Sequence, residues 1–358
     1  MKMLKSGAER LSNFELLRIF AMFLIVLHHC NAHGVFNYWN NNSSLLYQIN
    51  NCLCFFLASG GKIGVTLFVL LTGYFSCVQD FRLKKCLSIY LKTFLYSVVI
   101  LCLYIWVFPA KPTNLTIVSL FPFTHNAYWF ITSYLILYTF SPLLNIMLQN
   151  ASARLIRNYL VWCMVLWVVV PALGLMRDVK GYSDLFFFVY LYILGGAIRL
   201  KYVVFSKKYV SALFAAVFAV SLFLLIKTVE HLGAYISFWR IFKYIELNSI
   251  YVFVTSLWLF CLFADWKIKS PLINRISASM FGVYLLHDNK LVRPLLWHET
   301  LKMHSHMTSP WFALWALGLS LAVFAACIVV DKLFFYLCRP LTDYIIKKIP
   351  DRLQHSES

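Results

Sequence analysis

A chain of 358 residues that is 61% hydrophobic, 18% aromatic and only 13% charged is not a water-soluble domain, since such domains run at about 45–50% apolar and about 25% charged. The formal net charge of +18 sits in short Lys and Arg clusters between apolar runs, as membrane topology requires, so no nucleic-acid partner is expected. Mean hydropathy is +0.73, and at roughly 20 apolar residues per crossing the length fits about ten spans without an appended soluble enzyme domain. Residues 1–358 read as one integral-membrane domain, an all-α polytopic helix bundle with short cytoplasmic tails at 1–13 and 336–358.

In chain order the predicted spans are 14–33, 53–75, 88–108, 127–148, 158–176, 184–200, 209–227, 245–264, 276–292 and 311–335. The first apolar run ends in His28-His29 without a small-residue cleavage site, so it reads as a retained span rather than a signal peptide. The ten cysteines form no framework. Cys102, Cys163, Cys261 and Cys327 lie in apolar runs as small hydrophobes, and Cys52 and Cys54 lack the companions of a zinc site. No metal is expected.

Counting Lys and Arg in alternate connections gives twenty on the side of both termini and nine on the other. That asymmetry predicts cytoplasmic termini and an even number of spans, with anionic lipid headgroups as the ordinary partners of the charge. The opposite connection at 34–51 is rich in Asn and Ser and has no Lys or Arg.

Arg18, His28 and His29 lie in or beside the first span, where ionisable groups are expensive and usually functional. Eleven residues make three helical turns plus about 20°, so Arg18 and His29 share a face about 16 Å apart, while His28 is turned aside. The alternatives are that Arg18 snorkels to headgroups with Glu15 as its helical partner, and that His29 bonds a neighbouring helix at the far edge.

The run Phe14-Glu15-Leu16-Leu17-Arg18-Ile19-Phe20-Ala21-Met22, followed by Ile25-Val26-Leu27-His28-His29, resembles the first helix of the acyltransferase type 3 family, where a basic residue precedes a histidine with ten residues between. Gly64-Val65-Thr66-Leu67-Phe68-Val69-Leu70-Leu71-Thr72-Gly73-Tyr74-Phe75 is similar to the family's second motif, with Thr72 where Ser is usual. Trp129-Phe130 with Tyr134, Tyr138, Pro142 and Leu143-Leu144-Asn145 resembles the fourth helix, and Phe281-Gly282-Val283-Tyr284-Leu285-Leu286-His287 a late helix ending in histidine.

The resemblance implies an O-acyltransferase of a multi-pass cell membrane, a bacterial plasma membrane in the first place. It would carry an acyl group, acetyl foremost, from cytosolic acyl-CoA (acetyl-CoA as co-substrate) to a hydroxyl of a surface or secreted glycan or its lipid-linked precursor. It implies His29 as the catalytic histidine, by direct base action or as an acyl carrier, and Arg18 as an essential cation. A hydroxyl is a weak nucleophile and needs a base with a pKa near neutrality, which histidine supplies.

The phosphates of coenzyme A require a cytosolic cationic site. Arg18 and the Arg82, Lys84, Lys85, Lys92 cluster are the candidates, although plain topology suffices for the lysines. Candidates on the acceptor side are Lys62 beside Gly60-Gly61, Trp129 and Tyr134 as an aromatic wall with Tyr138, His287 followed by Asp288 and Asn289, and Glu246 at the start of span eight. An interfacial belt, packing and snorkelling are the competing explanations for these. A succinyltransferase of an exopolysaccharide and a transporter of lipid-linked sugars are the alternatives. The inverted repeats that a transporter favours are not seen in the sequence. Oligomeric state is not legible.

Overall fold

The computed structural model describes residues 10–36, 44–109, 119, 121–123, 127–172, 184–242 and 246–348. The chain ends, the 37–43 part of the Asn-rich connection, Lys111, Arg177, Lys180 and Lys243 lie outside the described residues. Those described are in helices, turns or short irregular connections, with no strand among them. An apolar solvent leaves a backbone no other way to satisfy its own N–H and C=O groups except a closed barrel.

The long helices are α1 (Ser12–Gly34), α2 (Leu45–Ser76), α3 (Leu83–Val107), α4 (Trp129–Asn150) and α5 (Ala153–Ala172). After them come α6 (Asp184–Arg199), α7 (Lys207–Phe242), α8 (Ile250–Ala264), α9 (Pro271–Ser277), α10 (Met280–His287) and α11 (Phe312–Lys347). Seven of these are long and apolar enough to cross a membrane: α1 to α5, α7 over Lys207–Leu224, and α11. Several starts are legible as serine caps. Ser44, Ser152, Ser249 and Ser270 each accept a bond from the backbone N–H three residues on, satisfying a donor that the first turn leaves open.

Burial ranks the helices. The apolar window of α2 is 72% buried and that of α1 56%, against 6% for α7. Helices α6 and α8 are also buried over most of their residues and pack with the α1–α2 pair at the centre, while α3, α4, α5, α7 and α11 wrap it. Outer helices turn Trp106, Trp162, Phe223, Leu314 and Leu337 outward, which costs nothing against lipid tails. The two central helices run antiparallel and meet on small residues. A Cβ at Gly64 would strike the Ala21 carbonyl, and one at Gly61 would strike the His28 ring. Such close backbone approach supplies the packing on which helices in lipid depend.

Several boundaries differ from the sequence expectation: α2 begins at Leu45 rather than at 53, and α7 runs to Phe242 rather than to 227. The span expected at 276–292 consists instead of two short helices, α9 and α10, joined through Ala278-Ser279 and ending at Asp288. Hydropathy runs on past that point, but the helix stops where Asp288 faces His29, His33 and Arg293 and Asn289 is hydrogen-bonded. Asn289 Oδ1 accepts from the Leu291 N–H at 2.9 Å, and its Nδ2 donates to the Tyr128 hydroxyl at 2.8 Å. Glu246 lies in a turn before the Ser249 cap rather than on the eighth span. At the C-terminal side, α11 continues to Lys347, so the tail expected from 336 is helical for most of its length.

Candidate active site

Helix α1 carries His29 on its buried face, and the short α10 brings His287 to it. His29 Nδ1 lies 2.9 Å from His287 Nε2. Backbone geometry assigns the protons. His287 Nδ1 faces the Val283 carbonyl at 2.6 Å, an acceptor, so Nδ1 carries the hydrogen and neutral His287 presents a lone pair at Nε2. That lone pair accepts from His29 Nδ1–H, which leaves the His29 Nε2 lone pair available. His28, one residue away, is turned to the Ala58 carbonyl, with its Nδ1 at 2.5 Å. The helical-face expectation that separated the two histidines thus matches their directions.

Asp288 is the anion of the cluster. Its Oδ1 lies 3.6 Å from His29 Nε2, 3.6 Å from His33 Nε2 and 3.5 Å from Arg293 Nε. Arg293 in turn approaches His33 Nε2 at 3.5 Å. A carboxylate buried in apolar surroundings costs several kcal/mol unless compensated, and Arg293 supplies the compensating charge. Those separations exceed hydrogen-bond length, and Asp288 Oδ1 and Arg293 Nε are both buried without a hydrogen bond. Asp288 makes no side-chain hydrogen bond to its neighbour His287; adjacent helical residues diverge by about 100°, and its carboxylate faces His29 across the helix pair. His33 and Arg293 escaped the sequence reading. The i, i+4 spacing of His29 and His33 was the available signal, whereas Arg293 had none.

Arg18 sits at the opposite end of α1. It pairs with Glu15 at 2.5 Å and lies over the Phe75 ring at 5.2 Å. Ser277 Oγ donates to the other Glu15 oxygen. Arg199, also missed in the sequence, stacks on the adjacent Tyr74 at 5.1 Å and reaches its hydroxyl at 3.4 Å. The end of α2 thus gathers two guanidiniums. At the same end, Lys85 Nζ lies 4.3 Å from the Tyr138 ring centre, and the Arg82 N–H donates to the Tyr138 hydroxyl. Lys84 lies in the first turn of α3 beside them. Lys92 departs from this group: its Nζ bonds Asp331 Oδ1 at 2.9 Å, where the Tyr96 hydroxyl also donates at 2.6 Å.

Toward the His29 end, Lys62 Nζ lies 5.1 Å from the Trp129 ring centre, and the carboxylates whose field reaches it are those of Asp184 and Glu246. Lys62, Trp129 and Glu246 therefore fall in one region. Tyr134 does not join them. Five residues along α4 turn it about 140° away from Trp129, and it stacks parallel on Tyr138, with centroids 6.4 Å apart, in the direction of Lys85.

The family model described as an acyltransferase domain matches residues 11–331, a stretch that includes every residue named in this site. No curated protein and no solved structure matches the chain.

Proposed function

The chain belongs to the acyltransferase type 3 family, and on that premise we propose that it moves an acyl group, acetyl foremost, from cytosolic acyl-CoA to a hydroxyl of a cell-surface or secreted glycan or its lipid-linked precursor. That it is a multi-pass membrane acyltransferase follows from the family and from its apolar helices. Donor, acceptor and site residues belong to the proposal, as do a bacterial plasma membrane and an Arg18 end that faces the cytoplasm.

The observation that carries the reading is the chain of hydrogen bonds from the Val283 carbonyl through His287 to His29, which leaves His29 Nε2 as an available base. His29 Nε2 takes the proton of the acceptor hydroxyl as its oxygen attacks the thioester carbonyl. The C–S bond breaks, coenzyme A leaves as a thiolate, and His29 returns the proton to that sulfur. The products are the ester and free coenzyme A. Asp288, 3.6 Å away, would stabilise the transient imidazolium. The same lone pair would serve a two-stage route in which Nε2 itself accepts the acyl group before the alcohol does.

Arg18 and Arg199 would hold the coenzyme phosphates, with Arg82, Lys84 and Lys85 around them. A guanidinium is matched to phosphate geometry, and Arg18 remains 27% exposed despite its Glu15 partner. Arg18 stands about 16 Å from His29 along α1, so the pantetheine arm would run between them. Lys62, Trp129 and Glu246 would line the acceptor side.

The test is acyl transfer from labelled acetyl-CoA by the full chain in membranes, with mass spectrometry of surface glycans from cells with and without it. His29→Ala should lower transfer about 10²–10⁴-fold, as removal of a general base does. Arg18→Ala should raise the KM for acyl-CoA, and His28→Ala should lose far less than His29→Ala. Transfer retained in both His29→Ala and Arg18→Ala would defeat the assignment. A glycan gain of one succinyl in place of one acetyl would move the donor to succinyl-CoA.

A further inference from the structure

We propose that His29, His33 and Asp288 form a reversible inhibitory site for a first-row divalent transition metal ion, Zn2+ foremost. The inhibitory half rests on the reading of His29 as the base; the binding half rests on geometry alone. One ligand atom from each of the three residues lies within 4.8 Å of the others. Asp288 Oδ1 is 3.6 Å from each of the two imidazole Nε2 atoms. A tetrahedral ion with bonds of about 2.0–2.1 Å has ligand–ligand edges of about 3.3 Å, so the two edges from Asp288 need shifts of a few tenths of an ångström, and the His29–His33 edge closes by about 1.5 Å through rotation of the partly exposed His33 ring.

Independent observations point the same way. Asp288 Oδ1 is buried and lacks a hydrogen bond, which a bound cation would remedy. His29 already donates its other ring N–H to His287, the outer-shell bond that orients a metal-binding histidine. His33 is 23% exposed at the side-chain level, so an ion can reach the cluster. Two imidazoles and one carboxylate favour Zn2+, Ni2+ or Cu2+ over Mg2+ or Ca2+, which take oxygen ligands. Arg293 Nε, 3.5 Å from the same carboxylate oxygen, opposes a second positive charge; it keeps the site reversible. A bound ion takes the His29 Nε2 lone pair that would otherwise receive the acceptor's proton, so binding and catalysis exclude each other.

A second histidine pair provides a control. His298 and His304 stack at 4.8 Å on the connection between α10 and α11. Burial, followed by the charges of His298, Lys302 and His306, holds His304 below its ordinary pKa, so it is neutral and competent as a ligand. The experiment is a titration of the full chain in detergent with Co2+ alone, read by its tetrahedral d–d absorption, followed by displacement with Zn2+. One ion per chain is expected in the wild type. The signal should be lost in His33→Ala, His33→Gln and Asp288→Asn, each checked for a cooperative unfolding transition above the assay temperature, and kept in His304→Ala. Mg2+ should neither bind nor compete. Zn2+ should inhibit acyl transfer, with recovery on chelation. Absence of a saturable Co2+ signal in the wild type, its survival in the His33 and Asp288 variants, or its loss in His304→Ala would overturn the site. The two claims separate cleanly. An active His29→Ala enzyme alongside one-site Co2+ binding in the wild type sinks the function and leaves the metal site; an inactive His29→Ala enzyme without Co2+ binding in the wild type does the reverse.

Discussion

His287 Nε2 accepts the Nδ1–H of His29 at 2.9 Å, and its own Nδ1–H is spent on the Val283 carbonyl at 2.6 Å. Each imidazole fixes the tautomer of the next, so a main-chain carbonyl on α10 decides which nitrogen of a histidine on α1 is basic. His287 therefore acts through His29 as a positioning residue. His287→Phe should lower kcat about 10²-fold while leaving the KM for acyl-CoA within twofold. His287→Asn, whose amide oxygen accepts a bond, should recover part of the loss. Steady-state kinetics on both variants decide the matter. A loss confined to KM would assign His287 to ligand binding instead.

The second prediction concerns stability. Lys92 and Tyr96 on α3 converge on one oxygen of Asp331 on α11, and Gly282 on α10 lies against the same carboxylate. A Cβ at 282 would collide with Asp331, which requires glycine there. Removing one partner of a buried pair leaves an uncompensated charge and costs about 3–5 kcal/mol; replacing both by apolar groups often costs nothing. Lys92 retains 23% side-chain exposure, so water screening brings the expected loss for Asp331→Leu down to about 2 kcal/mol. Adding Lys92→Met should restore most of it. Unfolding midpoints in one detergent give the comparison, and additive losses in the double variant would show that the pair is not coupled.

Much of this was legible in the chain, for physical reasons. A 3.6-residue period is enough to turn His28 and His29 in different directions, and hydropathy suffices to locate the seven helices long and apolar enough to cross a membrane. The Asp288 cluster was not legible, because His29 and Asp288 are brought together only by the packing of α10 on α1. Counting positive charge groups Lys92 with Arg82, Lys84 and Lys85, but its partner Asp331 lies 239 positions away. The early end of α10 escaped for a related reason. Averaged hydropathy passes through Asp288 and Asn289, whereas the chain turns there on the bonds of Asn289 to the Leu291 N–H and the Tyr128 hydroxyl.

The last prediction separates two aromatic residues that the sequence reading had grouped in one wall. Trp129 lies beside Lys62 toward the His29 end, whereas Tyr134 stacks on Tyr138, the ring under Lys85. If the two ends take the two substrates, the variants must fail differently. Trp129→Ala removes a stacking face worth about 1 kcal/mol with a cation and should raise the acceptor KM about fivefold, with the KM for acyl-CoA unchanged. Tyr134→Ala loosens Tyr138 and with it the placement of Lys85, so it should raise the KM for acyl-CoA and spare that of the acceptor. Initial rates with each substrate varied in turn measure the split. Equal shifts in both constants for both variants would mean that α4 supports the bundle without dividing its two ends between donor and acceptor.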